Sequence, residues 1–244
     1  MAVGEIEMQY GYGYQFWRLR GEGFGCFGMG GQFALCMPEQ DLILINTADN
    51  QAISGGSEHI VKIFMKFVDE VNRNNKNNIL PENENAQKKL QEKILSLSIP
   101  VPQGNKTTEN AGLYSGKKYV MENNGMGLKW ISMDIAPDKC VVNYENNSGE
   151  YSLSFGMGKY FRQEFPEKYF GMKMGVRDTH YDSIAAGAWS DDSTFLGVLY
   201  SIDDYLGTIK MQLAFSENNI CVFMTKAAEF FFDNYQGTAT GFIE

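Results

Sequence analysis

Histidine is nearly missing: His59 and His180 are the two in 244 residues, which leaves little material for imidazole general-base chemistry. No H-x-x-x-H or carboxylate-histidine spacing occurs, so no metal is expected. Cysteine is scarce as well. Cys26, Cys36, Cys140 and Cys221 form no C-x-x-C pair, which argues against a zinc site or a dense disulfide framework and for isolated buried thiols in a reducing compartment. Positive charge is in deficit, 21 Lys and Arg against 30 Asp and Glu for a net charge of −9, and no basic cluster interrupts the pattern. That excludes the electrostatic footprint of a nucleic-acid or anionic-membrane surface. No run approaches the roughly 20 apolar residues needed to span a bilayer, and residues 1–8 carry neither a basic nor an apolar leader segment. The glycines at 11–13 and 28–31 precede no Gly-Lys-Ser/Thr and open no helix, so they are not phosphate loops. The chain reads as soluble and cytoplasmic, with no cofactor and no nucleic-acid or membrane-spanning partner.

What is present is strand-forming material: 14% aromatic residues and 26 glycines, the composition of a strand-rich globular protein rather than a disordered one. The chain is organised around residues 10–47, YGYGYQFWRLRGEGFGCFGMGGQFALCMPEQDLILINT. Aromatic or aliphatic residues alternate there with small or polar ones, with pauses at Gly21, Gly23, Gly25 and again at Met37-Pro38-Glu39, which predicts three or four antiparallel strands. After Asn50, Ile60, Val61, Ile63, Phe64, Phe67, Val68 and Val71 recur at the spacing of an amphipathic helix over 57–73. Asn72 to Asn78 is an asparagine-rich connector. A second, thinner apolar stripe, Ala86, Leu90, Ile94 and Leu97, ends at Pro100, and the Pro100, Pro102, Gly104 run marks the strongest boundary in the chain.

Beyond that boundary the period changes to two. Strands are expected near 112–122, 128–136, 138–145, 150–158, 168–176, 183–190, 193–202, 206–216 and 219–226, joined at turns such as Asn147-Ser148-Gly149 and Ser190-Asp191-Asp192. So many short strands with almost no helix imply a barrel or sandwich, and closure would remove exposed edges. Phe230-Phe231-Phe232 is read as a last strand or a plug.

Tyr12-Gly13-Tyr14-Gln15-Phe16-Trp17, Phe27-Gly28-Met29-Gly30-Gly31-Gln32 and Pro38-Glu39-Gln40-Asp41-Leu42-Ile43-Leu44-Ile45 together resemble the closing strands of serine β-lactamase-like hydrolases, the class C and penicillin-binding-protein-related group. The resemblance implies that residues 1–75 are the C-terminal strands and helix of such a catalytic domain. Cys26, Phe27, Gly28, Gly30, Gly31 and Gln32 would border its cleft, with Cys26-Phe27-Gly28 standing where the family has a Lys- or His-x-Gly triplet. Tyr114-Ser115-Gly116-Lys117-Lys118-Tyr119 and Gly187 to Phe195 are similar to the small C-terminal β-domain appended to some of these hydrolases. The nucleophile would then lie upstream of Met1, and the chain alone would have no catalytic residues.

Two further matches to that family's motifs look like decoys. Ser115-Gly116-Lys117-Lys118 spells S-x-x-K, but in a strand start, where residues three apart point to opposite faces. Tyr144-Glu145-Asn146 spells Y-x-N, but in a sequence expected to form a hairpin turn. His59 reads as a surface or capping residue and His180 as part of a barrel-rim loop. Trp130, Trp189, Tyr200 and Tyr205 could line a ligand pocket inside the barrel.

The expected fold is therefore α+β: N-terminal antiparallel strands with one or two helices over 1–75, a helix and linker over 76–110, and an antiparallel, lipocalin-like β-barrel over 111–244. The expected function is the C-terminal portion of a serine hydrolase acting on amide or ester bonds, or alternatively a non-catalytic β-barrel module that binds a small ligand or another protein. A homo-oligomer or a missing N-terminal catalytic half is the expected partner, because a remnant cut from a larger sheet exposes an edge and a face.

Overall fold

The alternation between Tyr10 and Thr47 becomes a five-stranded antiparallel meander. In the computed structural model, residues 10–50, 56–74, 82–168, 181–203, 206–228 and 232–244 are described. The chain divides into two compact units, Met1–Ser98 and Ile99–Glu244. The stretch 76–110 therefore gives its helix to the first unit and its last residues to the second.

In the first unit β1 (Tyr12–Gly13), β2 (Phe16–Arg18), β3 (Phe24–Gly28), β4 (Gln32–Met37) and β5 (Leu42–Asn46) follow one another in space as in sequence. Helix α1 (Gly56–Asn74) covers one face of this sheet. Its Val61, Phe64, Met65 and Val68, at helical three-to-four spacing, form one core with Leu19, Phe33, Leu35 and Met37. Arg20 ties the layers together: its Nη2 donates to the Met65 carbonyl at 2.7 Å and lies 3.1 Å from Asp69. Helix α2 (Glu84–Ser96) starts where the Asn83 side chain accepts a hydrogen bond from the Ala86 N–H at 2.9 Å, and it buries none of its residues.

The second unit begins with a single turn, α3 (Ala111–Tyr114), followed by β6 (Lys118–Met121), β7 (Trp130–Ile135), β8 (Lys139–Asn146), β9 (Gly149–Met157), β10 (Phe161–Glu164), β11 (Asp182–Trp189), β12 (Thr194–Ile202), β13 (Leu206–Phe215), β14 (Asn219–Ala227) and β15 (Gly237–Ile243). These pair in the order β10-β11-β12-β13-β14-β15-β6-β7-β8-β9. A parallel contact of β9 with β11, Gly156 opposite Ala186 and Met157 opposite Gly187, closes nine of them into a barrel. The antiparallel barrel expected over 111–244 is thus present.

Two details depart from the expected strands, and two further expectations fall partly outside the described residues. The strand predicted from 112 starts only at Lys118, because α3 takes up the preceding residues. Residues 169–176 of the strand predicted at 168–176 lie outside the described residues. Strands β10 and β15 were not predicted; β10 is four residues long, and β15, GTATGFI, carries too many small residues for its alternation to register. Phe230 and Phe231 are outside the described residues, while Phe232 is fully buried ahead of β15, which is the closing strand.

Candidate functional site

The inward residues of the barrel strands form one hydrophobic core among the described residues. Trp189 is wholly buried, its ring 5.6 Å from that of Phe195 and 5.8 Å from that of Phe215, and Phe155 packs edge-on against Phe195. One crevice there, of about 10 Å³, lies beside Met126, Met211, Met224, Tyr144 and Tyr235, room for about one water molecule.

At that crevice lies the most polar point of the core. Glu167 is buried, and its Oε1 accepts from Asn146 Nδ2 at 2.7 Å, from Tyr144 Oη at 3.2 Å and from Tyr235 Oη at 2.5 Å. The two phenols also meet each other at 2.5 Å. Tyr144 and Asn146 share a face of β8 because they are two residues apart on a strand. They are thus interior strand residues rather than turn residues, and this corrects the sequence reading: the turn falls after Asn146, where β8 pairs Asn146 with Gly149 of β9.

A ligand-sized concavity lies on the outside of the barrel. A groove of about 420 Å³ runs between the Pro100-Val101-Pro102 segment and the outer face of β12, β13 and β14. Leu196, Val198 and Phe223 make it apolar, while Tyr200, Lys210, Gln212 and Thr225 supply polar groups. Val198 stands opposite Lys210, and Lys210 opposite Thr225, so one outward row crosses three strands. Tyr160 fixes the wall of the groove by donating from Oη to the Pro100 carbonyl at 2.7 Å. Burial, with Tyr200 beside it, holds the Tyr160 phenol above its ordinary range.

The residues expected to form an interior pocket are not brought together. Trp189 is core. Trp130 is on β7, half-exposed, with its Nε1 donating to Glu145 at 2.7 Å and the Lys118 ammonium 4.5 Å above its ring. Tyr200 lines the outer groove, and Tyr205, like His180, lies outside the described residues. Lys129 and then Trp130, by hydrogen bonding, hold the Glu145 carboxyl below the usual carboxylate range.

The six residues Cys26, Phe27, Gly28, Gly30, Gly31 and Gln32 are brought together, as the β3–β4 hairpin. Gly28 opposes Gln32, and Gly30 and Gly31 take φ values of 74° and 96°, a left-handed turn that other residues adopt at a cost. The Phe27 and Phe33 rings meet at a tilt, 4.9 Å apart, and Gln32 Nε2 donates to the Met29 carbonyl at 3.3 Å. The expectation of buried thiols holds for Cys140 alone; Cys26 and Cys221 are exposed and Cys36 is intermediate. His59 is exposed on α1. Ser115 caps α3 rather than opening a strand, and its Oγ accepts from the Ile135 N–H at 3.0 Å. The amine of Lys118 is over Trp130 instead of beside that hydroxyl.

Sequence reasoning missed Glu167 and Tyr235. The local signal was a carboxylate in a turn-like Pro-Glu-Lys and a tyrosine after a phenylalanine run, and neither announces burial.

No helix among the described residues is long and apolar enough to cross a membrane. No protein-family model matches the chain, and no curated protein matches it. Among solved structures it is similar to a fatty-acid-binding protein isolated from Manduca sexta, at 14% identity and a TM-score of 0.33 over 54% of this chain and 98% of that one. It is likewise similar to a fatty acid-binding protein from brain tissue of Drosophila melanogaster, at 12% identity and a TM-score of 0.34 over 54% of this chain and 99% of that one.

Proposed function

We propose that the chain is a non-catalytic binding module whose barrel offers its outer-wall groove to a small amphiphile with an anionic head. The observation that carries this reading is the groove itself, about 420 Å³ over an apolar wall edged by polar groups. Ligand sites commonly enclose roughly 300–1,000 Å³ and combine an apolar lining with a few placed polar groups. Leu196, Val198 and Phe223 would take the apolar part, and the exposed ammonium of Lys210, which has no ion pair among the described residues, would take the anion. Phe223, 46% exposed at the same wall, gains the most by being covered.

Titration with a fluorescent dansyl fatty acid tests the reading. Val198→Trp, which fills the groove, should abolish binding, and Lys210→Glu should weaken the fatty acid at least tenfold while sparing the corresponding neutral alcohol. Binding that survives Val198→Trp overturns it.

A second reading keeps the N-terminal unit as the closing strands of a β-lactamase-like serine hydrolase of amide or ester bonds, incompetent by itself. It is favoured by the meander β3–β5 followed by α1 laid on one face, the order that the resemblance implies. On that reading a fluorophosphonate probe leaves this chain unmodified and labels only a longer polypeptide in which a helix-borne S-x-x-K precedes it. Labelling of Ser115 in the chain itself would sink it.

A further inference from the structure

Two apolar surfaces of the first unit have no partner among the described residues. One is the face of the meander opposite α1. Ile43 and Ile45 of β5 are 69% and 67% exposed there. The register places them beside Cys36 and Ala34 of β4, which in turn stand beside Phe24 and Cys26 of β3. Phe16 of β2 extends the patch, its ring 5.8 Å from that of Phe24. The other surface is the stripe of α2, in which Leu90 and Ile94 are 60% and 57% exposed, one turn apart on the same side as Ala86.

We propose that the open face of this sheet is a helix-docking surface and that α2 of the same chain is its occupant. The two surfaces match in length: Ala86 to Ser96 spans about 15 Å along the helix, and the five- and six-residue strands β5 and β4 span about 17–20 Å. They also match in kind. The sheet face offers branched and aromatic side chains, and α2 offers a narrow stripe whose other sides, with Lys88, Lys89, Gln91 and Glu92, remain in water.

The chain can make the journey. Gln40 Nε2 donates to Asn72 Oδ1 at 2.9 Å, which fixes the last turn of α1 at the β4–β5 connection, so the chain leaves at the end of the sheet and has only to round it. From α1 to the far side of the sheet is two layers, about 20 Å. Residues 75–83, between α1 and α2, reach up to about 30 Å. A second copy would satisfy the same face, but within one chain α2 is present at the far higher effective concentration of a short tether.

Cys26, on the docking face, reports occupancy in the full-length chain. Under mild thiol oxidation Ile94→Cys should form a disulfide with Cys26 within one monomer, at least tenfold more efficiently than Gln91→Cys on the polar side. In the chain without that substitution, maleimide should label Cys26 several-fold more slowly than in a Leu90→Asp, Ile94→Asp double variant, with exposed Cys221 as the internal reference; both aspartates sit at solvent-facing positions and leave the core intact. Equal cross-linking from the two α2 positions, cross-links found only between two copies, or an unchanged labelling ratio would overturn the proposal. The outcome is independent of the groove, which is carried by the other unit.

Discussion

The hydroxyls of Tyr144 and Tyr235, separated by 91 positions in sequence, meet at 2.5 Å on the same oxygen of Glu167. One belongs to β8 and the other precedes β15, so the contact ties the start of the closing strand to a strand three places round the barrel. A buried carboxylate is costly to strand without partners. Tyr144→Phe and Tyr235→Phe should each lower the unfolding free energy by about 1–2 kcal/mol. The double variant should lose less than the sum, because the two hydroxyls share one acceptor. Glu167→Ala should cost about 3 kcal/mol by leaving the ring of donors unpaired. Urea denaturation of the four proteins checks all of this; strict additivity would dissolve the network.

Barrel closure gives a second prediction. A Cβ on Gly156, opposite Ala186 in the one parallel contact, would come within 2.3 Å of the Lys159 carbonyl oxygen, which belongs to the backbone and cannot swing aside. Gly156→Ala should therefore destabilise the barrel by about 2 kcal/mol or more. Amide hydrogen exchange should show the loss of protection centred on β9 and β11.

Alkaline pH should expose Tyr160. Its phenol keeps its proton in the fold above the ordinary tyrosine value of 10.0, whereas the unfolded chain ionises near that value. The native state thus holds more protons as pH rises through 10, and stability, level below that point, must fall above it. Tyr119 and Tyr151 are shifted the same way by burial and share the trend. Tyr160→Phe should cost about 1 kcal/mol at neutral pH by losing the bond to Pro100 and should flatten the decline above pH 10. An unchanged alkaline slope would place the ionising group elsewhere.

Tryptophan emission should separate the two sides of the wall. Trp189, fully buried among Phe195 and Phe215, should emit to the blue and resist acrylamide. Trp130→Phe should remove a red, quenchable component, because that ring is on the outer face. Trp189→Phe, by contrast, should remove the protected one.

Much of the barrel was legible because its strands face water on one side and a core on the other, which writes a period of two into β8, β9 and β11 to β14. α1 was legible for the matching reason at helical spacing. The pocket was not. Trp130, Trp189 and Tyr200 were grouped as large aromatics, yet position on a pleat sends Trp189 inward and the other two outward, a one-residue matter of register that composition does not record. The Glu167 site drew on residues 144, 146, 167 and 235, and no local pattern joins positions so far apart. The outer groove depends on where a Pro-rich segment lies over a wall, which a sequence reads only as a boundary.

The first strand of the barrel is hydrogen-bonded to the last: Met121 of β6 stands opposite Gly241 of β15. During synthesis, at roughly 5–20 residues per second, β6 must wait on the order of ten seconds before its partner is made. Until then the nascent sheet has an open seam, and β6 can pair with a strand of a neighbouring nascent chain. Crowded polysomes, rather than the finished protein, are where this fold is most exposed to misassembly, and losing the codons for the final seven-residue strand would make that exposure permanent.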